Sequence, residues 1–229
     1  MNGGKPQVFT IGHSNHPIEY FITLLKQHGI DTVVDVRSQP YCRYARHFDQ
    51  PALAAALKEE GIRYVFLGEL LGGRPRDPSC YDDNRQVQYE KLAQTELFQQ
   101  GIEHVIKGAS RYRIVLMCAE KDPIDCHRTL LVARVLHERG VDVQHIRDDG
   151  KLETHDMAMD RLAAEYLTSR SKKRVSHDKT RQERVDPDSA PLQLSLLDPH
   201  VPSRQEILAA AIQDRVSKIT RRKRPAREN

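Results

Sequence analysis

The sequence predicts an α/β fold: a mainly parallel sheet with helices packed on it in a single compact domain, followed by a basic disordered tail. Three observations predict it. Short apolar runs bounded by charge alternate with segments of helical spacing over residues 1–167. In Arg111 to Gly140 one such run, Ile114-Val115-Leu116-Met117, passes through a polar loop into a broad apolar helical face of Leu130, Leu131, Ala133, Val135 and Leu136. Charge then divides the chain, with 21 Lys+Arg against 24 Asp+Glu in residues 1–167 and 15 against 8 in residues 168–229. The tail therefore carries a net +7 on a mildly acidic domain, the balance of a segment that meets polyanions.

The elements follow in order. Val8 to Ile11 is the first strand; Ser14 or Asn15 caps the next helix, Pro17 lies in its first turn, Ile18, Phe21, Ile22 and Leu25 form its apolar face and Gly29 stops it. Asp31 to Val36 is the second strand, and Asp35 within it needs a partner or a task. Residues 41–50 interleave tyrosine, arginine and histidine without a period and read as a loop over the sheet edge. Asp49 caps a helix from Pro51 to Glu60, Arg63 to Leu67 is the third strand, and a glycine-rich turn from Gly68 to Pro75 allows backbone to approach a ligand closely. Helix is expected within 87–109, a fifth strand at Val141 to Ile146, a short returning strand at Lys151 to Thr154 and a closing helix from Met157 to Leu167.

Residues 168–202 form the expected disordered linker, broken by the apolar island Leu192 to Leu197, and residues 203–229 hold a candidate helix, Ser203 to Ile219, and the basic run Arg221-Arg222-Lys223-Arg224. No apolar run approaches the ~20 residues of a membrane span, and no signal-peptide pattern opens the chain, so a soluble, cytoplasmic protein is expected, with no membrane partner. Four cysteines at this length read as reduced thiols or ligands and not as a secreted disulfide framework.

His13, Ser14, Asp35, Arg37, Glu69, Arg74 and the loop from Cys118 to Arg128 each lie at or after a strand end. In a parallel sheet they gather along one carboxyl edge. Arg37, Arg74 and Arg128 there would form an anion pocket for phosphate or carboxylate, with Ser14, Asp35, Glu69 and His127 as further binding groups. Replacing Arg128 is then expected to abolish anion binding with the fold intact. His13 and Glu120 are the candidate proton-transfer groups, and Asp35 with Arg37 and Glu120 with Arg128 are candidate structural ion pairs.

Cys118 and Cys126 allow three readings: a thiol nucleophile whose pKa a helix terminus and arginine would lower, a metal ligand, or a small buried residue. Neither cysteine has an arginine six positions on, which removes the phosphatase loop. Cys-x7-Cys-His lacks the short paired spacings of common zinc sites, so no metal is assigned, and no cofactor follows from the sequence.

Thr10-Ile11-Gly12-His13-Ser14, Asp35-Val36-Arg37, the Leu67-to-Arg74 stretch and MCAEKDP at 117–123 followed by Cys126-His127-Arg128 resemble the domain-of-unknown-function family numbered 488 over residues 7–167. The resemblance implies an α/β fold and the same loop as the site; it names no substrate. Gln193-Leu194-Ser195-Leu196-Leu197 resembles the bacterial sliding-clamp-binding motif, with Leu197 where phenylalanine is most frequent, and implies a partner in replication or repair. Two functions are therefore expected: an enzyme directed at a nucleotide or nucleic acid through an anion pocket, or a noncatalytic nucleic-acid-associated adaptor recruited through its tail.

Overall fold

Side chains alternating between two faces of each strand give the sheet two apolar surfaces, and helices cover both. The computed structural model describes residues 5–182 and 202–221, with side chains for all of these except 172–182. Six strands, β1 (Gln7–Gly12), β2 (Thr32–Asp35), β3 (Arg63–Phe66), β4 (Ile114–Cys118), β5 (Asp142–Ile146) and β6 (Leu152–Thr154), form one sheet of order β3-β2-β4-β1-β5-β6. Every pairing is parallel except that of β5 with β6. The mainly parallel α/β fold expected from the sequence is the fold of the protein.

Phe9, Ile11, Val33, Val115 and Met117 face one way and pack with Phe21 and Leu25 of α1 (Ile18–Gln27) and Leu53 and Leu57 of α2 (Gln50–Glu59). Val8, Val34, Ile114 and Leu116 face the other way. They meet Phe98 and Ile102 of α5 (Glu96–Ala109), which follows the short helices α3 (Gly68–Leu71) and α4 (Tyr89–Ala93). They also meet Leu130 to Leu136 of the helical stretch that begins as a π-helix at Arg128–Ala133 and becomes α6 (Arg134–Glu138). Chain leaving β1 thus passes over one face and chain leaving β4 over the other. Such a reversal opens a crevice at the carboxyl ends of those strands.

Several boundaries differ from the sequence reading. Pro17, not Ser14 or Asn15, occupies the cap of α1, and Ser14 has a φ of 49° in the turn before it. Asp49 stands at the N-cap of α2 but turns its carboxylate to the Cys42 N–H at 2.7 Å. The closing helix α7 (His155–Gln182) continues well past Leu167. The candidate tail helix is α8 (Arg204–Arg221), and it belongs to the domain: Ala211 and Ile212 are buried in the core, and Arg215 joins Asp125 and Glu165, each at 2.6 Å. Hydrophobic burial outweighs the polar composition that suggested an independent tail, because the apolar residues of α8 fall on one face. The apolar motif at 193–197 and the basic run beyond Arg221 lie outside the described residues.

A buried histidine chain locks the sheet to α7. His145 lies opposite Thr10 in the β1–β5 register and meets its hydroxyl at 2.8 Å; its other nitrogen meets His155 at 3.3 Å. Burial, the charge on His137 and that on Arg134 lower the His155 pKa to about 4 against the opposing pull of Asp156, and burial foremost drives His145 the same way. The unfolded chain binds protons at these sites near pH 6.5 and the folded chain does not, so stability is complete above that pH and falls as pH drops toward 4. We expect urea unfolding at pH 5 to show a loss relative to pH 7 on the order of 2 kcal/mol from His155 alone. His155→Gln should shrink the loss, and equal stability at the two pH values would contradict the buried neutral chain.

Candidate functional site

The site is built where β1, β2 and β4 end side by side. Gly12 pairs with Cys118, the last residue of β4, and beyond the sheet the His13 N–H donates to the Cys118 carbonyl at 2.8 Å and the Ser14 N–H to the Ala119 carbonyl at 3.0 Å. The Val36 N–H donates to the Met117 carbonyl at 3.1 Å. Three strand ends are thereby fixed to one another before any side chain acts.

Arg128 fixes the loop that follows. Expected on the wall of an anion pocket, it is instead fully buried at 0% exposure, and its guanidinium donates to the Glu120 carbonyl at 2.6 Å and the Lys121 carbonyl at 3.3 Å. It therefore pairs with the Glu120 backbone and not with the carboxylate, as the expected ion pair required. The loop also crosses directly over β1: a Cβ at Gly12 would stand 1.8 Å from the Glu120 carbonyl oxygen, so no other residue fits there. At Gly73 a Cβ would meet His127 Cγ at 2.8 Å, which lets the glycine-rich turn close on the histidine.

This folding converges four side chains on one point. Cys118 Sγ and Cys126 Sγ each lie 3.0 Å from Glu120 Oε2, and 3.6 and 3.8 Å from His127 Nδ1. His127 Nε2 donates to the Val36 carbonyl at 2.9 Å, which turns Nδ1 toward the two sulfurs; burial works against the charged ring but is outweighed by Cys126 and Glu120, so its pKa is raised. All four ligand atoms fall within 4.8 Å of one another, and neither cysteine is in a disulfide. Cys118 and Cys126 are buried, whereas Glu120 is partly exposed. Burial raises the Cys118 pKa; for Cys126 burial pulls the same way but is outweighed by hydrogen bonds from Cys118 and His127 and by the Arg128 charge, which bring it down to about 6. The spacing argument against a metal site assumed ligands on short loops. Here one ligand ends a strand and two open a helix, and the fold supplies the proximity that the spacing lacks.

The remaining residues divide between wall and scaffold. Arg37 lines the crevice, but its charge is spent: it grips the Asp35 carboxylate at 2.6 to 3.1 Å, donates to the Phe48 carbonyl at 2.9 Å and reaches His13 Nε2 at 3.2 Å. Asp35, fully buried, also accepts from the Tyr64 hydroxyl at 2.6 Å and is structural. His13 Nδ1 meets the Ser14 carbonyl at 2.8 Å, so both ring nitrogens are engaged, and burial foremost, with Arg37 beside it, lowers its pKa to about 4. It stays neutral near pH 7, with its one ring proton on Nδ1 given to the Ser14 carbonyl and Nε2 accepting from Arg37. Ser14 contributes its backbone to this turn, and Glu69 points away, exposed and 3.8 Å from Arg76. Arg74 does reach the crevice.

The crevice encloses about 620 Å³. Its floor is Cys118, Glu120 and His127, its rim carries the exposed Arg43, Arg74 and Arg85 with Tyr41 and Tyr44, and Ile219 and Thr220 of α8 close one side. Tyr41 and Tyr44 are 66% and 84% exposed. Sequence reasoning missed Tyr41, Arg43, Tyr44 and Arg85. The interleaving of aromatic and basic residues in 41–50 was the available signal.

An open parallel α/β domain with a polar crevice at the carboxyl edge of its sheet is the class that fold and site define. The chain belongs to the family described as Domain of unknown function DUF488, which it matches over residues 17–135. No curated protein and no solved structure matches it. Among the described residues no helix is long and apolar enough to cross a membrane.

The loop's construction predicts that Gly12→Ala destabilises the domain by on the order of 3 kcal/mol, because backbone must move to admit the methyl group. Arg128→Met should cost a similar amount, roughly 3 kcal/mol, by orphaning buried carbonyls. Chemical denaturation checks both, and a folded Arg128→Met protein of unchanged stability would remove the guanidinium as the loop's anchor.

Proposed function

We propose that the protein is an enzyme acting on a nucleotide or single-stranded nucleic acid held in this crevice. The observation that carries the reading is the rim: Arg43, Arg74 and Arg85 interleave with Tyr41 and Tyr44 around a floor of thiols, imidazole and carboxylate. Exposed guanidiniums suit phosphate, exposed phenol rings suit the flat faces of bases, and the two together track a strand without demanding a sequence. The anion pocket moves accordingly, from Arg37, Arg74 and Arg128 to the three exposed arginines. Glu120, partly exposed between the thiols and the crevice, is the group best placed to exchange a proton with a bound substrate.

The tail adds recruitment to this reading. Its net +7 supplies a nonspecific phosphate tether, and Gln193, Leu194, Leu196 and Leu197 match the pattern a bacterial sliding clamp accepts in an apolar groove. A noncatalytic adaptor would bind a ligand or partner with its core and recruit through its tail; the concentration of reactive groups on the crevice floor favours an enzyme.

Labelled single-stranded DNA titrated by fluorescence anisotropy tests the rim. Tyr44→Ala is expected to weaken binding about 5- to 100-fold, the worth of one stacked base. Arg74→Ala should weaken it and flatten its salt dependence. Unchanged binding in both variants sinks the crevice as the nucleic-acid site. Mass spectrometry of nucleotide and nucleic-acid panels incubated with the chain then reads the reaction.

Recruitment is tested with a peptide spanning Asp188 to Val201 and a sliding clamp. Binding should be lost when Gln193 and Leu196 are both changed to alanine; a peptide that does not bind, or binds regardless of those changes, eliminates the clamp as partner.

A further inference from the structure

We propose that Cys118, Cys126 and His127 hold a divalent metal ion of the zinc class, with Glu120 as an exchangeable fourth ligand facing the crevice. The inference rests on the proposed function only in taking the crevice floor as the reacting centre. Its geometric basis is the convergence of two sulfurs, one imidazole nitrogen and one carboxylate oxygen within 4.8 Å of one another.

The separations agree with a shared ion. Zn–S bonds of about 2.3 Å and Zn–N bonds of about 2.0 Å at tetrahedral angles place sulfur and nitrogen about 3.6 Å apart. Cys118 Sγ and Cys126 Sγ lie 3.6 and 3.8 Å from His127 Nδ1. The two sulfur-to-carboxylate distances, 3.0 Å each, are hydrogen-bond contacts and shorter than those across a shared ion. Seating a cation among these atoms requires Glu120 to withdraw by about half an ångström, which a partly exposed side chain at the crevice can do.

The surroundings are those a metal-bound histidine and thiolate require. His127 Nε2 donates to the Val36 carbonyl, which fixes the ring with Nδ1 toward the sulfurs. The Arg128 N–H points at Cys126 Sγ at 3.5 Å, and this donor, with the buried Arg128 charge behind it, stabilises a thiolate. Two thiolates and an imidazole select a borderline metal such as zinc over magnesium or calcium. Three inner ligands with a displaceable fourth on the open side are the pattern of a catalytic site and not of a closed structural one.

Metal analysis of the full-length chain after exposure to zinc should find one zinc per chain. Cobalt(II) added to the metal-free chain should give the visible spectrum of a tetrahedral ion and a thiolate-to-cobalt charge-transfer band. Cys118→Ser and Cys126→Ser should each diminish that band and weaken zinc binding by more than the roughly 10–100-fold that outer partners are worth. Glu120→Gln should keep the band and alter the visible spectrum. Zinc should also raise the melting temperature of the wild-type chain, a readout that stands even where a serine variant does not fold. A folded wild-type chain with no charge-transfer band, or zinc content untouched by both serine changes, overturns the site; a Glu120→Gln spectrum identical to wild type overturns the fourth ligand. DNA binding by the metal-free chain separates the two readings. Binding to DNA with no cobalt band defeats the metal alone, and a cobalt band with no DNA binding defeats the crevice reading alone.

Discussion

A buried guanidinium holding two backbone carbonyls is the constraint on which the site depends. Arg128 has no exposure to water, and the Glu120 and Lys121 carbonyls receive its charge. Those hydrogen bonds draw the loop after β4 inward over Gly12, where only a hydrogen atom fits beneath it. With the loop drawn in, the Glu120 carboxylate lies 3.0 Å from each of the two thiols. An arginine is costly to bury, and two backbone carbonyls bound by one guanidinium offset part of that cost, while its Nε finds no partner among the described residues. The π-helical start at Arg128–Ala133 belongs to the same device, since such turns commonly occur at functional sites.

Around that anchor the crevice separates charges that organise from charges that remain available. Asp35, Arg37, Tyr64 and His13 form a network whose polar groups are engaged with one another and with the Phe48 and Ser14 carbonyls. Its contribution is stiffness: it binds the end of β2 to the Phe48 carbonyl and to the loop after β1. Arg43, Arg74 and Arg85 lie at the rim and are exposed. Arg37 and Arg128, behind them, are bound to the Asp35 carboxylate and to backbone carbonyls. Charges held by internal partners and charges left exposed at the rim thus belong to different arginines.

Much of this was legible in the sequence, and the remainder was not for identifiable reasons. Apolar runs such as Ile114 to Met117, followed by helical spacing, reveal a parallel sheet because its strands are buried on both faces, and strand-end residues reveal a shared edge because parallel strands end together. That logic found Cys118, Glu120, Cys126 and His127. It could not tell Arg74 from Arg128, because sequence gives the address of a side chain but not whether backbone carbonyls will claim it. Glu69 failed similarly, lying on a helix that turns it outward to Arg76. Tyr41 and Tyr44 were hidden by the absence of a period, since a loop that folds over a crevice obeys none.

The tail, which composition alone would detach, takes part in the crevice through α8. Ala211 and Ile212 anchor the helix in the core, and Arg215 ties it to Asp125 in the loop between Glu120 and Arg128 and to Glu165 on α7. Its last turn brings Ile219 and Thr220 to the crevice wall. Arg221 comes next, and Arg222, Lys223 and Arg224 follow it in sequence. Arg221, the last described residue of the helix, thus follows directly on the residues that form the crevice wall. Apolar burial on one face of α8 thus brings part of a segment that net charge alone had set apart to the carboxyl edge of the sheet.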